Sequence, residues 1–301
     1  MVEAVIPVDL TNPGQVFACL GFMELCEALD LAQVRGGFDW SDPAAIRFRI
    51  SVAGETHPIE TCLRFLARAE VRALIPAESE ITLKSVDTEA APAGVFPFSP
   101  PVSESTTPVI LCSASGKRVT LNHWADTSGR DPFKTFAGQQ IAADIFRKML
   151  NTSFGKPTKA TPSGKRLTQA FDMLFLDDPD GWISEPFAAV AALETSFGFD
   201  ARGAWDALRL GSSADTQSLP SGICPVVELL SPIGLSHARP CSTSSYKLEY
   251  AAWGAMMPPM LARCCLGMTY APVGTPLRRF TSHLGNDKYY KKFFFAMEIT
   301  E

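Results

Sequence analysis

Asn122, His123, Trp124, Arg130 and Lys134 bring one aromatic ring, two hydrogen-bonding tips and two cations into 13 consecutive positions. Proteins use that mixture on unpaired bases and their backbones. The plainer reading makes Trp124 a core residue and lets the charges solvate a loop. His123 is also a candidate general base for metal-independent RNA cleavage, although the spacing places no second acid beside it. Motifs for other chemistry are missing: the chain has no Gly-x-Ser-x-Gly elbow, no Gly-x-x-x-x-Gly-Lys-Ser/Thr loop, no Gly-x-Gly-x-x-Gly after a strand and no Cys-x-x-Cys or His-Glu-x-x-His. Cys264 and Cys265 are adjacent and cannot both reach one metal from a helix. Asp177, Asp178 and Asp180 crowd a Pro/Gly-rich segment, where a solvated turn is expected before a metal nuclease. No catalytic residue, cofactor or metal is therefore assigned.

The charge is unevenly spread. The whole chain carries 27 basic and 32 acidic residues, a net −5, which argues against a general polyanion binder. Residues 1–111 hold 7 basic and 15 acidic side chains, residues 112–170 hold 10 and 3, and residues 171–301 hold 10 and 14. The basic middle comprises Lys117, Arg118, Arg130, Lys134, Arg147, Lys148, Lys156, Lys159, Lys165 and Arg166. A second cluster, Arg278, Arg279, Lys288, Lys291 and Lys292, lies near the carboxyl end. Because screening acts over about 8 Å, a phosphate feels the local patch more than the net charge. The candidate nucleic-acid-binding set is thus Lys117, Arg118, Asn122, His123, Trp124, Arg130, Lys134, Lys156, Lys159, Lys165, Arg166, Arg278, Arg279 and Lys288.

These residues need a scaffold, and 301 residues at 46% apolar content can bury a large core. The eight cysteines are too sparse for a disulfide scaffold and are expected to be packed thiols. No apolar run reaches the roughly 18 residues of a spanning helix, so no membrane is expected. The opening Met-Val-Glu-Ala-Val lacks the pattern of a signal peptide, which places the chain in the cytoplasm.

Pattern reading predicts an α+β fold in three parts. Residues 1–86 read as a strand over Glu3–Leu10, a buried helix capped at Asn12-Pro13, a short strand at Phe38–Trp40, a strand at Ile46–Val52 with one basic face, a helix over Ile59–Leu74 and a strand at Ile81–Val86. That order fits a ferredoxin-like split βαβ unit. Residues 87–108, with five prolines, read as a linker or insertion. Residues 109–301 read as a mixed α/β remainder: strands at 109–113 and 118–122, a helix at 139–150, a basic loop at 151–167, helices at 185–195, 202–210 and 225–230, a strand at 246–253, a helix at 259–267, and a closing hairpin of 277–284 with 288–299.

Several stretches carry a resemblance. Ile6-Pro7-Val8-Asp9-Leu10-Thr11-Asn12-Pro13-Gly14-Gln15 is followed by Gly37-Phe38-Asp39-Trp40-Ser41-Asp42-Pro43. Then come Leu121-Asn122-His123-Trp124-Ala125-Asp126 with Arg130-Asp131-Pro132-Phe133-Lys134, Ser196-Phe197-Gly198-Phe199-Asp200 with Arg202-Gly203-Ala204-Trp205, and Ser236-His237-Ala238-Arg239-Pro240. In this order they resemble a small CRISPR-associated family of type I-U (now I-G) operons. The resemblance spans nearly the whole chain. It implies a non-catalytic subunit of the Cascade surveillance complex, with CRISPR RNA, target DNA and other Cascade subunits as partners. The implied place is the large-subunit position, where the motif beside the target is read. A backbone-like RNA-binding subunit, a protein-interaction scaffold and an endoribonuclease using His123 stay open beside it.

Overall fold

Strand β1 (Val2–Pro7) runs into Asn12-Pro13, and helix α1 (Pro13–Ala28) starts with proline at its first position. In this computed structural model, which describes residues 1–91, 101, 103–122, 124, 133–136, 140–151, 169–204, 222–244, 247–285 and 292–299, α1 is buried on every side from Pro13 to Cys26. A helix apolar all round must be covered all round, and the rest of the chain does this. β2 (Arg35–Asp39) and β3 (Arg47–Val52) form an antiparallel sheet with β1 in the order β1-β3-β2. Helix α2 (Pro58–Arg68) follows, with the Glu60–Arg64 pair closed at 2.7 Å.

The fold is mixed α+β. Its first six elements follow the strand, helix, strand, strand, helix, strand order, and the three sheet strands keep the neighbours a ferredoxin-like unit requires. The fourth strand departs. β4 (Glu70–Pro76) opens a second sheet, ordered β5-β4-β6-β7, with β5 (Thr88–Ala91) parallel to it and β6 (Val109–Cys112) and β7 (Arg118–Leu121) antiparallel. This sheet takes strands from either side of residues 92–100, and among the described residues the larger hydrophobic core draws side chains from Ala4 to Ala296, with a smaller cluster of Leu74, Ala91, Ile110 and Cys112 beside it.

Helices α3 (Ala142–Leu150), α4 (Phe171–Asp177) and α5 (Pro179–Ser184) cover this core. Helix α6 (Pro225–Leu235) lies along α1 so closely that a Cβ on Gly21 would sit 2.2 Å from the Leu230 carbonyl oxygen. The third sheet is β11-β10-β9-β8, antiparallel throughout, made of β8 (Cys241–Ser244), β9 (Lys247–Trp253), β10 (Leu277–His283) and β11 (Met297–Glu298), with α7 (Pro259–Leu266) between β9 and β10. The closing strands do pair, Phe280 with Glu298 and Thr281 with Met297, but Leu284 bridges Phe293 rather than facing Lys288, so the register is not that of a tight turn at 285–287.

Four local expectations change. The second helix ends at Arg68, and Leu74 is a strand residue, because Val71, Ala73 and Leu74 bury themselves on β4. Residues 81–86 form no ladder, although Leu83 and Val86 are buried. Residues 185–195 are not helical: Pro186 pushes Glu185 out of the helical region (φ −136°, ψ 66°), and Ala191 bridges Ile223 instead. Asp177 and Asp178 belong to helix ends rather than a turn, and Asp178 Oδ1 accepts the Gly181 N–H at 3.0 Å. No helix among the described residues is long and apolar enough to cross a membrane.

Candidate nucleic-acid interface

The β6–β7 hairpin presents Lys117 and Arg118 at its tip, and each meets a carboxylate. Lys117 pairs with Asp30, just beyond α1, and Arg118 pairs with Glu89 on β5, which also lies 3.8 Å from Arg72. Such exposed pairs contribute about 0–1 kcal/mol, so they do not hold the fold, but they cancel the local positive field.

Trp124 corrects the sequence expectation outright. Its ring is 0% exposed, stacked on Phe197 at 6.4 Å between centroids and edge-on to Phe136 at 5.9 Å. Its faces are occupied by the core, so it cannot stack on a base. Asn122, at the end of β7, is buried with it, and its Nδ2 makes no hydrogen bond among the described residues. Lys134 turns back over the same cluster, with Nζ 4.2 Å from the Phe136 ring centroid and 3.1 Å from the Phe136 carbonyl oxygen. Of the densest constellation, Asn122 and Trp124 thus belong to the core, and the half-buried Lys134 packs against its aromatic rings.

The carboxyl-terminal cluster is also divided. Alternation along β10 sends Arg278 and Arg279 to opposite faces. Arg278 holds Glu298 through Nε at 2.6 Å and lies 5.9 Å over the Trp40 ring. His123, Arg130, Lys156, Lys159, Lys165, Arg166 and Lys288 lie outside the described residues.

Two further stretches, 6–15 and 196–205, meet in a buried polar network. The Asn12 side chain does not cap α1; its Nδ2 donates to Asp200 Oδ1 at 2.8 Å and its Oδ1 accepts the Ala201 N–H. Asp200 also receives Arg202 through Nη2 at 2.8 Å and the Cys224 N–H at 2.8 Å. Glu228, in the first turn of α6, accepts the N–H groups of Phe197, Gly198 and Asp200 at 2.7, 2.9 and 2.9 Å. Burial pushes its carboxyl up to about 7, with Asp200 adding to the push and the three backbone donors opposing it. Toward the opposite end of α1, Arg263 clamps the buried Glu24 through two 2.6 Å bonds, and His237 lies 3.9 Å from the same carboxylate. Burial lowers the His237 pKa. These residues tie α1, the 196–203 segment, α6 and α7 together.

The candidate set omits one surface that the sequence did signal. The basic alternation of β3 places Arg47 and Arg49 on the outward side of the first sheet, and Arg35 joins them from β2 across the register. Beside them a groove of about 420 Å³ is lined by Trp40, Asp39, Arg49, Gly254 and Pro276. No group of three metal-capable side chains occurs among the described residues. No family model, curated protein or solved structure matches the chain.

Proposed function

We propose that the chain is a non-catalytic subunit of a type I CRISPR surveillance complex, contacting CRISPR RNA and target DNA from the large-subunit position. The observation that carries this reading is where the resembling stretches fall. Asn12, Phe197, Gly198, Asp200 and Arg202, up to 190 positions apart, meet in one interlocked buried network. That interdependence supports reading the resemblance as one of fold rather than of surface composition. The basic stretch 151–167, with four bases and no acid, supplies charge for a phosphate backbone.

A second reading, a protein-interaction scaffold of the same complex, draws support from the pairing of Lys117, Arg118 and Arg278 with carboxylates. Purifying the tagged chain from its whole operon separates the two. The first reading expects other subunits together with guide RNA, and a weakened RNA contact to this chain when Lys156, Lys159, Lys165 and Arg166 are all changed to Ala. Assembly with an unaltered RNA footprint in that variant favours the scaffold, and a chain that elutes alone defeats both.

A further inference from the structure

The cross-strand register fixes which side chains share the outward face of the first sheet. Glu3, Ser51 and Arg35 lie in one row, Val5, Arg49 and Gly37 in the next, and Pro7, Arg47 and Asp39 in the third. The face therefore carries three guanidinium groups against two carboxylates. Both carboxylates are engaged locally. Glu3 receives Arg49 at 2.8 and 3.1 Å, and Asp39 Oδ1 accepts the Ser41 N–H and hydroxyl at 3.0 and 2.7 Å. Arg35 and Arg47 are exposed and make no ion pair with any described residue. Arg49 and Glu3 are each more than 40% exposed, so a phosphate can replace that pair at little cost.

The groove opens directly onto this face, since Gly37, Asp39 and Arg49 of the outward rows form part of its lining. Its opposite wall is the 254–256 segment, brought close because Gly36 bridges Met257. The half-buried Trp40 forms one side, seated against Gly254, where a Cβ would come within 2.9 Å of the indole. At about 420 Å³ the groove has room for a single nucleobase.

We propose that this sheet face is a platform for single-stranded nucleic acid, with one unpaired base taken into the Trp40 groove and the flanking phosphates held by Arg35, Arg47 and Arg49. The proposal rests on the nucleic-acid reading above and names the surface that serves it. A strand laid over a sheet with one arginine in each of three successive rows and one ring at the margin combines the two terms that hold unpaired polymers, stacking and backbone neutralisation. A duplex keeps its bases inside and cannot fill the groove.

The test is fluorescence anisotropy of the full chain with a labelled 12-nucleotide single-stranded RNA, alongside a duplex of equal length. Wild type should prefer the single strand. Arg35→Ala with Arg47→Ala should weaken binding about tenfold and flatten the log–log salt slope by about 1.4, from roughly 0.7 per lost contact. Trp40→Leu should weaken it about tenfold without changing that slope. Arg35 and Arg47 are exposed, so an unchanged thermal midpoint certifies the fold where Trp40→Leu alone could not. Equal affinity for the duplex, or full binding by the arginine pair variant, overturns the platform. The operon purification judges the underlying reading separately, because guide RNA can be retained there through residues 156–166 when this face is bare.

Discussion

Glu228 is a fully buried carboxyl group facing three N–H groups, with Asp200 beside it. Its folded pKa of about 7 lies above the ordinary 4.5, so between those values the native state holds the proton that the unfolded state has released. Stability from this residue is full below pH 4.5 and declines as pH rises toward 7. The unfolding free energy of wild type relative to Glu228→Gln should therefore fall by about 3 kcal/mol between pH 5 and pH 8 in parallel urea titrations. A difference that is flat with pH would contradict this. Asp200→Asn, which strips Arg202 of its partner, should cost about 3 kcal/mol by the same measurement. Trp124→Ala should cost about 3–5 kcal/mol as a core cavity. A Trp124→Ala variant of native stability with weakened RNA binding would restore the stacking role that the sequence suggested.

At the level of elements, α1 and α6 meet through glycine. Gly21 faces the Leu230 carbonyl, and a Cβ on Gly234 would lie 2.3 Å from the Phe17 carbonyl oxygen. Gly→Ala inside a helix ordinarily gains up to about 1 kcal/mol, but Gly21→Ala must push two buried backbones apart and should lose about 2 kcal/mol net, read as a lower urea midpoint. A gain would mean that the helices are not in this contact. Period and punctuation revealed most elements in the sequence: Pro13 opens α1, alternation marks β3, and β9, α7 and β10 lie within a few residues of their expected places, whereas the second arm of the hairpin is only Met297–Glu298. Partner choice was not legible. Nothing local tells β4 to leave β1 for β6, because register between distant strands is set by what each buries after collapse. The helix expected at 185–195 failed for a local reason, since the Pro186 signal was outweighed by an apolar spacing that Phe187 and Ala191 use without a helix.

At the scale of the molecule, the segregation of charge along the chain is undone in space for Lys117 and Arg118. Lys117 and Arg118 belong to the basic middle in sequence yet meet acids from the amino-terminal third, Asp30 and Glu89. Composition cannot register such meetings because they join positions dozens of residues apart. The β3 alternation, by contrast, was visible as a basic face, and only the sheet register showed that Arg35 and the Trp40 groove share it. If about five phosphates of a single strand are engaged, affinity should drop roughly 130-fold between about 50 and 200 mM salt, from a slope near −0.7 per contact. The most direct measurement is ultraviolet crosslinking of the complex purified from its operon, with the crosslinked peptides identified by mass spectrometry. The account predicts nucleotide adducts on peptides containing residues 35–49 and 156–166. Adducts confined to the other subunits, with none on this chain, would contradict it.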